Sequence, residues 1–493
     1  RKDIFIARKR RKAGQVSPDE VAVGAEEKTQ VETGEAPAKV AKADLYRAPD
    51  AQEVLEIAHT RNLYKSNLFR LQLEELIKEL APKKAPAVEA ALHALKPLLL
   101  GKLKAREIPA DLASEFPQLF FQQRSVAEQA MRFLPPKRLD VVGSFLLGTF
   151  SKMDYLVDVA VEMPSEIFRS KDYLNFRYHD KRAAYVGELH RQLSDLLGGN
   201  DALSHLRVDF EAFQGDPYRP CLVLRPEGAR WGIRLLPTYL ADAWPARMLA
   251  ADRNAIRPDQ GGSEHLPTAQ YNSIVLEDAR MREHLETLHA AVERFSFLRD
   301  AIRLLKRWAI TCGFISVSAD RAMSTPLNGF MLSILAAHAA TTGGVAPAQT
   351  TSFQLFKLAL SVLSTTQWDS RKVTYGVAGS TPLSSAERIE SAHFYDKVGA
   401  VNFFGRLGPV IEELRWEAQR ALSALDQKVE PFEAVFGRDV SPEVTWDLVL
   451  RTVELPPSAM CPDVRSTSSP SASASGPADA PEAMALAQQL RPT

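Results

Sequence analysis

Hydrophobic and polar positions change period several times along the chain, and each change marks an element. Phe69, Leu73, Leu76, Ile77 and Leu80 recur at helical spacing, Pro82 and Pro86 interrupt it, and Val88, Leu92, Leu95 and Leu99 resume it. A pair of helices is expected there. After Pro135-Pro136 the period shortens. Leu139 to Val142 and Leu156 to Val161 read as strands, joined by a turn at Gly143-Ser144 and a short helix. Lys171 to Leu197 reads as a long helix with Leu189, Leu193 and Leu196 on its buried side. Three further strands are expected at Arg207 to Phe213, Pro220 to Arg225 and Arg230 to Leu236, separated by Gly215-Asp216-Pro217 and Pro226-Glu227-Gly228. From about Met281 the helical period runs almost unbroken through Leu285, Leu288, Val292, Phe295, Leu298, Ile302, Leu305 and Trp308. More helices are expected at Leu327–Ala340, Ser352–Ser364 and Pro409–Asp426, and His393–Phe404 reads as a hairpin turning at Gly399. The order predicts an α+β chain: a mixed-sheet domain, then a mainly helical one.

The ends differ from this pattern. Residues 1–48 hold few large apolar side chains and carry a basic block, Arg8-Lys9-Arg10-Arg11-Lys12, while Ser466 to Pro481 is rich in Ser, Ala and Pro. Neither stretch can bury a core, and both are expected to be disordered. The basic block reads equally as a solvated charge run, a nuclear-import signal or a contact to RNA phosphates. The expected partition is a basic tail at 1–48, a helical segment at 49–106, a sheet domain at 107–280, a helical domain at 281–456 and a low-complexity tail at 457–493.

Composition adds limits. Lys+Arg and Asp+Glu both total 61, so a net charge of zero gives no global argument for nucleic acid or membrane. Three cysteines, Cys221, Cys312 and Cys461, lie far apart without metal-ligand spacing, which argues against zinc and against a disulfide framework. With no long apolar run and no signal peptide, the chain is expected to be soluble and intracellular.

The candidate chemistry lies in Gly143 to Glu162. A Gly-Ser pair between strand and helix can offer backbone N–H groups and a hydroxyl to a triphosphate, where a larger side chain than Gly would block the approach. Metal-dependent nucleotidyl transfer then needs Asp-x-Asp on the next strand, because period two sets both carboxylates on one face, about 6–7 Å apart, able to share Mg²⁺. Here Val157, Val159 and Val161 make the apolar face, so Leu156, Asp158 and Ala160 face the cleft. The first carboxylate position therefore holds Leu156. Asp154 has the same parity but lies roughly 13 Å from Asp158 on an extended strand, too far to serve the same ion. The third ligand would come from a strand running into a proline. In Trp231 to Pro237 alternation puts Arg234 there, and a guanidinium cannot ligate a metal. No metal or cofactor is expected. Two arrangements stay open: Arg234 takes the metal's place and pairs with Asp158, or both are solvated across an open cleft. No HExxH, Walker A or GxGxxG sequence occurs. His179 and His190 read as surface residues of the charged helix, whose Arg177, Lys181, Arg182 and Arg191 either face solvent or contact RNA.

These stretches also resemble a known family. VVGSFLLGTFSKMDYLVDVAVEMP, KDYLNFRYHDKRAAYV, WGIRLLP, FLRDAIRLLKRWAITCGF, TSFQLFKLALSVLSTTQW and FEAVFGRDVSPEVTWDLVL are similar, in order, to blocks of the nucleolar RNA-associated protein (Nrap) family. The resemblance spans about residues 65–455. It implies a nucleotidyltransferase-like domain followed by a poly(A) polymerase/oligoadenylate synthase-like helical domain, similar to archaeal CCA-adding enzymes and poly(A) polymerases but without their metal ligands. Gly143, Ser144 and Asp158 match the ancestral pattern; Leu156 and Arg234 do not. The implied role is that of a non-catalytic pseudo-nucleotidyltransferase, a structural component of the small-subunit processome (90S pre-ribosome) in pre-rRNA processing and small-subunit biogenesis. Implied partners are pre-rRNA, the snoRNP particle, a ribosomal RNA processing protein and the casein kinase module, with no membrane. The implied location is the nucleus and nucleolus. Full members are roughly twice as long, so the chain reads as a truncated or mispredicted member lacking a second domain pair. The rival reading is an active Mg-dependent RNA nucleotidyltransferase, CCA-adding or poly(A) polymerase-like, using Asp158 with ligands elsewhere.

Overall fold

A computed structural model describes residues 67–81, 86–108, 112–121, 131–150, 155–199, 203–257, 266–315, 326–347, 349–384, 387–390, 392–427 and 430–438. The basic block Arg8–Lys12, Asp154 and the Ser/Ala/Pro-rich stretch lie outside these residues.

The expected helical pair is α1 (67–80) and α2 (Pro86–Gly101). Val88, Leu95 and Leu99 of α2 are buried, and Val88 and Leu92 pack on Val157 of the sheet. A ladder of β1 (Arg106–Ile108) and β2 (Met131–Phe133), with α3 (Leu112–Glu115) between them, was not predictable, because three-residue strands are too short to display a period.

The main sheet is built from β3 (Arg138–Val142), which runs into α4 (Gly143–Leu147), then β4 (Tyr155–Glu162), the long helix α5 (Arg177–Gly198), and β5 (Leu206–Ala212), β6 (Pro220–Pro226) and β7 (Trp231–Thr238). Its order is β3-β4-β7-β6-β5. Only β4 and β7 run parallel; the other neighbours are antiparallel. Val157, Val159 and Val161 of β4 are buried as their alternation predicts.

Two expectations need correction here. The long helix begins at Arg177 rather than Lys171, since Asn175 and Phe176 take left-handed backbone angles (φ 55° and 58°) that cannot continue a helix. It is also not a charged surface helix: His179 and Arg182 are buried, 3% and 0% exposed, along with most of Tyr178–Leu189. Arg182 is paired internally with Asp278 and burial holds His179 neutral, and neither fact shows in a polarity pattern.

The helical part opens with α6 (Ala269–Arg294), twelve residues before Met281, because buried Asn272 and Asp278 interrupt the apolar period of its first turns. A break at Phe295–Phe297 separates it from α7 (Leu298–Thr311). Next come α8 (Gly329–Thr342), buried continuously from Met331 to Ala340, and α9 (Ser352–Thr365), started by a Thr351/Gln354 capping box. A small sheet orders β8 (Arg371–Thr374), β9 (Thr381–Pro382) and β10 (Phe394–Tyr395) as β10-β8-β9. The hairpin expected near Gly399 is reduced to a single antiparallel bridge, Tyr395 to Asn402, with Gly399 at φ 74°, while β10 pairs mainly with β8 in parallel. The last long helix, α10 (Val410–Gln427), packs on α9. The molecule is thus a mixed-sheet unit followed by a mainly helical one.

Candidate functional site

The site grows from one register. Parallel pairing of β4 and β7 sets Asp158 opposite Arg234 and Leu156 opposite Gly232. Neighbours in register share a face, so the two charged side chains meet. Arg234 Nε donates to Asp158 Oδ1 at 2.8 Å, and its Nη1 donates to Glu211 Oε1 at 3.2 Å. The guanidinium carbon lies 4.9 Å from the Phe213 ring centre, a cation–π contact. Both Asp158 and Arg234 side chains are 18% exposed. Of the two arrangements left open by the sequence, the geometry has the paired one. Burial alone would weaken the Arg234 proton affinity, but the Asp158 carboxylate beside it offsets this and the net shift is upward. A permanent cation therefore faces the Asp158 carboxylate, and Leu156 lies half-buried against Gly232.

Gly143 closes the pocket from β3. Its φ is 73°, and a Cβ there would fall 2.8 Å from Asp158 Oδ2. Only glycine permits both the turn and that approach. Ser144 lies in the first turn of α4, and its carbonyl accepts from Thr149 N–H at 2.9 Å.

The segment after α4 is held from the helical part by three cations on one face of α7. Arg299 Nε donates to the Leu147 carbonyl at 3.2 Å, Arg303 Nη2 to the Gly148 carbonyl, and Lys306 Nζ to the Thr149 carbonyl at 3.1 Å. Spacing of four and three residues places them in a row. Burial pushes the Lys306 amine down to about 8, against the pull of Asp158. These cations satisfy backbone carbonyls, and Arg299 and Arg303 also pair with Glu293 and Asp300. Sequence reading missed them, although Arg299-x₃-Arg303-x₂-Lys306 was available as a basic stripe on an amphipathic helix.

A second missed cluster joins α5, the residue that leads into β6, and α6. Asp278 accepts from Tyr178 OH at 2.8 Å, Arg182 Nε at 3.1 Å and Arg219 Nη2 at 2.7 Å, all buried. Burial would raise the Asp278 carboxyl, but the two guanidinium groups hold it below its ordinary value. Glu277 Oε2 accepts from Arg219 Nη1 at 2.8 Å and from Arg406 Nη2 at 3.2 Å. Beside Gly143 and Asp158 lies a cavity of about 130 Å³ between the sheet and helices α6 and α8. Among the described residues no group of three or more His, Cys, Asp or Glu side chains converges as a metal site.

Comparison with known proteins places this geometry in a family. Residues 103–294 match the family model described as Nrap protein domain 1, and residues 297–438 match the Nrap protein PAP/OAS-like domain. Nucleolar protein 6 of Xenopus laevis is 30% identical over 414 residues, covering 79% of this chain and 35% of that protein. Nucleolar protein 6 of Homo sapiens is 29% identical over 420 residues, covering 80% and 35%. The chain thus spans about a third of the length of the curated relatives it matches. A solved structure of the Cid1 poly(U) polymerase, with Mg and 3′-dATP bound, aligns with a TM-score of 0.44 at 12% identity, over 75% of this chain and 98% of that one. The relatives' name gives a nucleolar, hence nuclear, location. With both matched segments falling on the sheet unit and the helical unit in that order, the chain belongs to the Nrap family.

Proposed function

We propose that this chain is a non-catalytic structural component of the small-subunit processome, acting in pre-rRNA processing and small-subunit biogenesis through RNA and protein binding. One observation carries the non-catalytic half: Arg234, 2.8 Å from Asp158, fills the position a metal-binding carboxylate would need. A dication beside a guanidinium meets repulsion of several kcal/mol even at an effective dielectric of about 20. The family carries the other half. The partners proposed with it, from the resemblance, are pre-rRNA, the snoRNP particle, a ribosomal RNA processing protein and the casein kinase module. Gly143, Ser144 and Asp158 then read as a vestigial nucleotide-binding motif, Leu156 and Arg234 as lost metal-ligand positions, and Arg8–Lys12 as a nuclear-import or RNA-contact block.

The test is complementation with crosslinking. In cells depleted of the endogenous family member, the protein should crosslink to pre-rRNA and support processing equally well as wild type or as Asp158→Ala. Loss of processing by a folded Asp158→Ala protein that still enters the particle would overturn the proposal in favour of a Mg-dependent RNA nucleotidyltransferase.

A further inference from the structure

The buried carboxylates Asp278, Glu188, Glu162 and Glu417 are each met by an arginine of the chain itself. Glu390 departs from that pattern. It is half-buried, and its Oε2 accepts only neutral donors, Asn402 Nδ2 at 2.7 Å and Tyr395 OH at 3.3 Å. No Lys, Arg or His among the described residues forms an ion pair with it. Burial raises its carboxyl above the ordinary value against those two hydrogen bonds, and the charges of Glu277 and Glu387 raise it further. A carboxylate in such a negative field gains from any cation that reaches it.

Glu390, Tyr395 and Asn402 all line a cavity of about 340 Å³, bounded by the turn Ala246–Leu249, the start of α6 and the segment that follows β10. That volume falls in the range of about 300–1,000 Å³ typical of binding clefts. Much of the wall is small and apolar, with Leu249, Ala250, Ala269, Leu276 and Ala400. Of the other carboxylates in the lining, Glu387 is already engaged by Lys372 and Ser384, and Asp252 is exposed. Arg247 also lines the cavity, but it is exposed and forms no ion pair among the described residues. Val398, 69% exposed, lines the same cavity, and Met248 of the bounding turn is 40% exposed.

These features match an aliphatic stem that ends in a cation. The small apolar wall takes the methylenes, and the carboxylates take the head. A bare metal ion fits poorly, since no three carboxylate, His or Cys groups converge among the described residues. A free polyamine would match stem and charge but leave Val398 and Met248 uncovered. We propose that this cavity receives an arginine or lysine side chain of a partner protein, presented beside an apolar residue that covers Val398. The inference rests on the protein-binding half of the proposed function and adds a surface and the chemistry of the partner segment.

The experiment is titration calorimetry of the intact chain with three short peptides that carry arginine, lysine or norleucine between two leucines, and with spermidine. The arginine or the lysine peptide should bind at least about tenfold more tightly than the norleucine peptide, as a charge-assisted hydrogen bond out of bulk water requires. Glu390→Gln, which keeps an acceptor for Asn402 and Tyr395, should abolish that preference with the fold intact by circular dichroism. Val398→Ser, at an exposed position, should weaken all three peptides alike. Equal affinity for basic and norleucine peptides, a preference that survives Glu390→Gln, or binding of no peptide overturns the inference. Spermidine binding as tightly as the basic peptides also overturns it, in favour of a free polyamine. A failure of the pre-rRNA crosslinking and processing test would be read separately, because it leaves a basic-peptide preference that depends on Glu390 intact.

Discussion

Arg234 supplies to Asp158 the positive charge that a divalent cation would supply, but as a fixed ion pair with no open coordination position. Removing it leaves a half-buried carboxylate without its partner. Arg234→Ala should cost about 1–3 kcal/mol in urea unfolding, below the loss for a fully buried pair because both groups keep some solvent contact. Adding Asp158→Asn should recover most of that loss, and two additive penalties would show that the pair is not coupled. His179 makes a second residue-level prediction. Burial, with Arg182 adding to it, pushes its imidazole from 6.5 down to about 3. The folded ring is neutral where the unfolded one takes up a proton, so stability is complete above about pH 6.5 and falls by about 1.4 kcal/mol per unit toward pH 3. His179→Phe should flatten that part of the pH–stability curve. Parity along two strands was enough to put Asp158, Leu156 and Arg234 on one face. It could not reveal Glu211 or Asp278, whose roles depend on neighbours far away in sequence.

At the scale of elements, the turn from β3 into α4 and the basic face of α7 form one construction. Gly143→Ala would need both a left-handed backbone and a Cβ 2.8 Å from Asp158 Oδ2, and should destabilise the chain by at least about 1–2 kcal/mol in thermal unfolding. Arg303→Ala frees the Gly148 carbonyl. Exchange of the Thr149 amide, now bonded to Ser144 O at 2.9 Å, should then accelerate about tenfold by hydrogen–deuterium exchange. Unchanged exchange would mean that α4 holds its own C-terminal turn. The strands of the main sheet and helices α8, α9 and α10 were legible within a few residues, because their apolar periods are uninterrupted. Helix α5 was misread as a solvated face, since a helix that pairs its charges internally looks polar in sequence. The start of α6 was missed for the same reason: Asn272 donates to the carbonyls of Ala250 and Arg253, and Asp278 collects two arginines.

Across the whole molecule, sheet unit and helical unit are joined by charges that are mostly out of solvent. Arg282 of α6 reaches Asp140 and Glu162 of the sheet, and Asp278 ties α6 to α5 and to the residue that leads into β6. Asp278→Ala would leave Arg182 and Arg219 buried without their carboxylate and should cost about 3–5 kcal/mol. The melt should remain one transition if the two units unfold together, whereas a separate early transition would place the joint outside the cooperative core. Such bracing suits a scaffold better than a cleft that must open and close in each turnover. The most direct measurement is nucleotide incorporation on an RNA primer with labelled nucleoside triphosphates and Mg²⁺ or Mn²⁺. The account predicts no incorporation above that of Asp158→Ala, and robust incorporation that Asp158→Ala abolishes would contradict it.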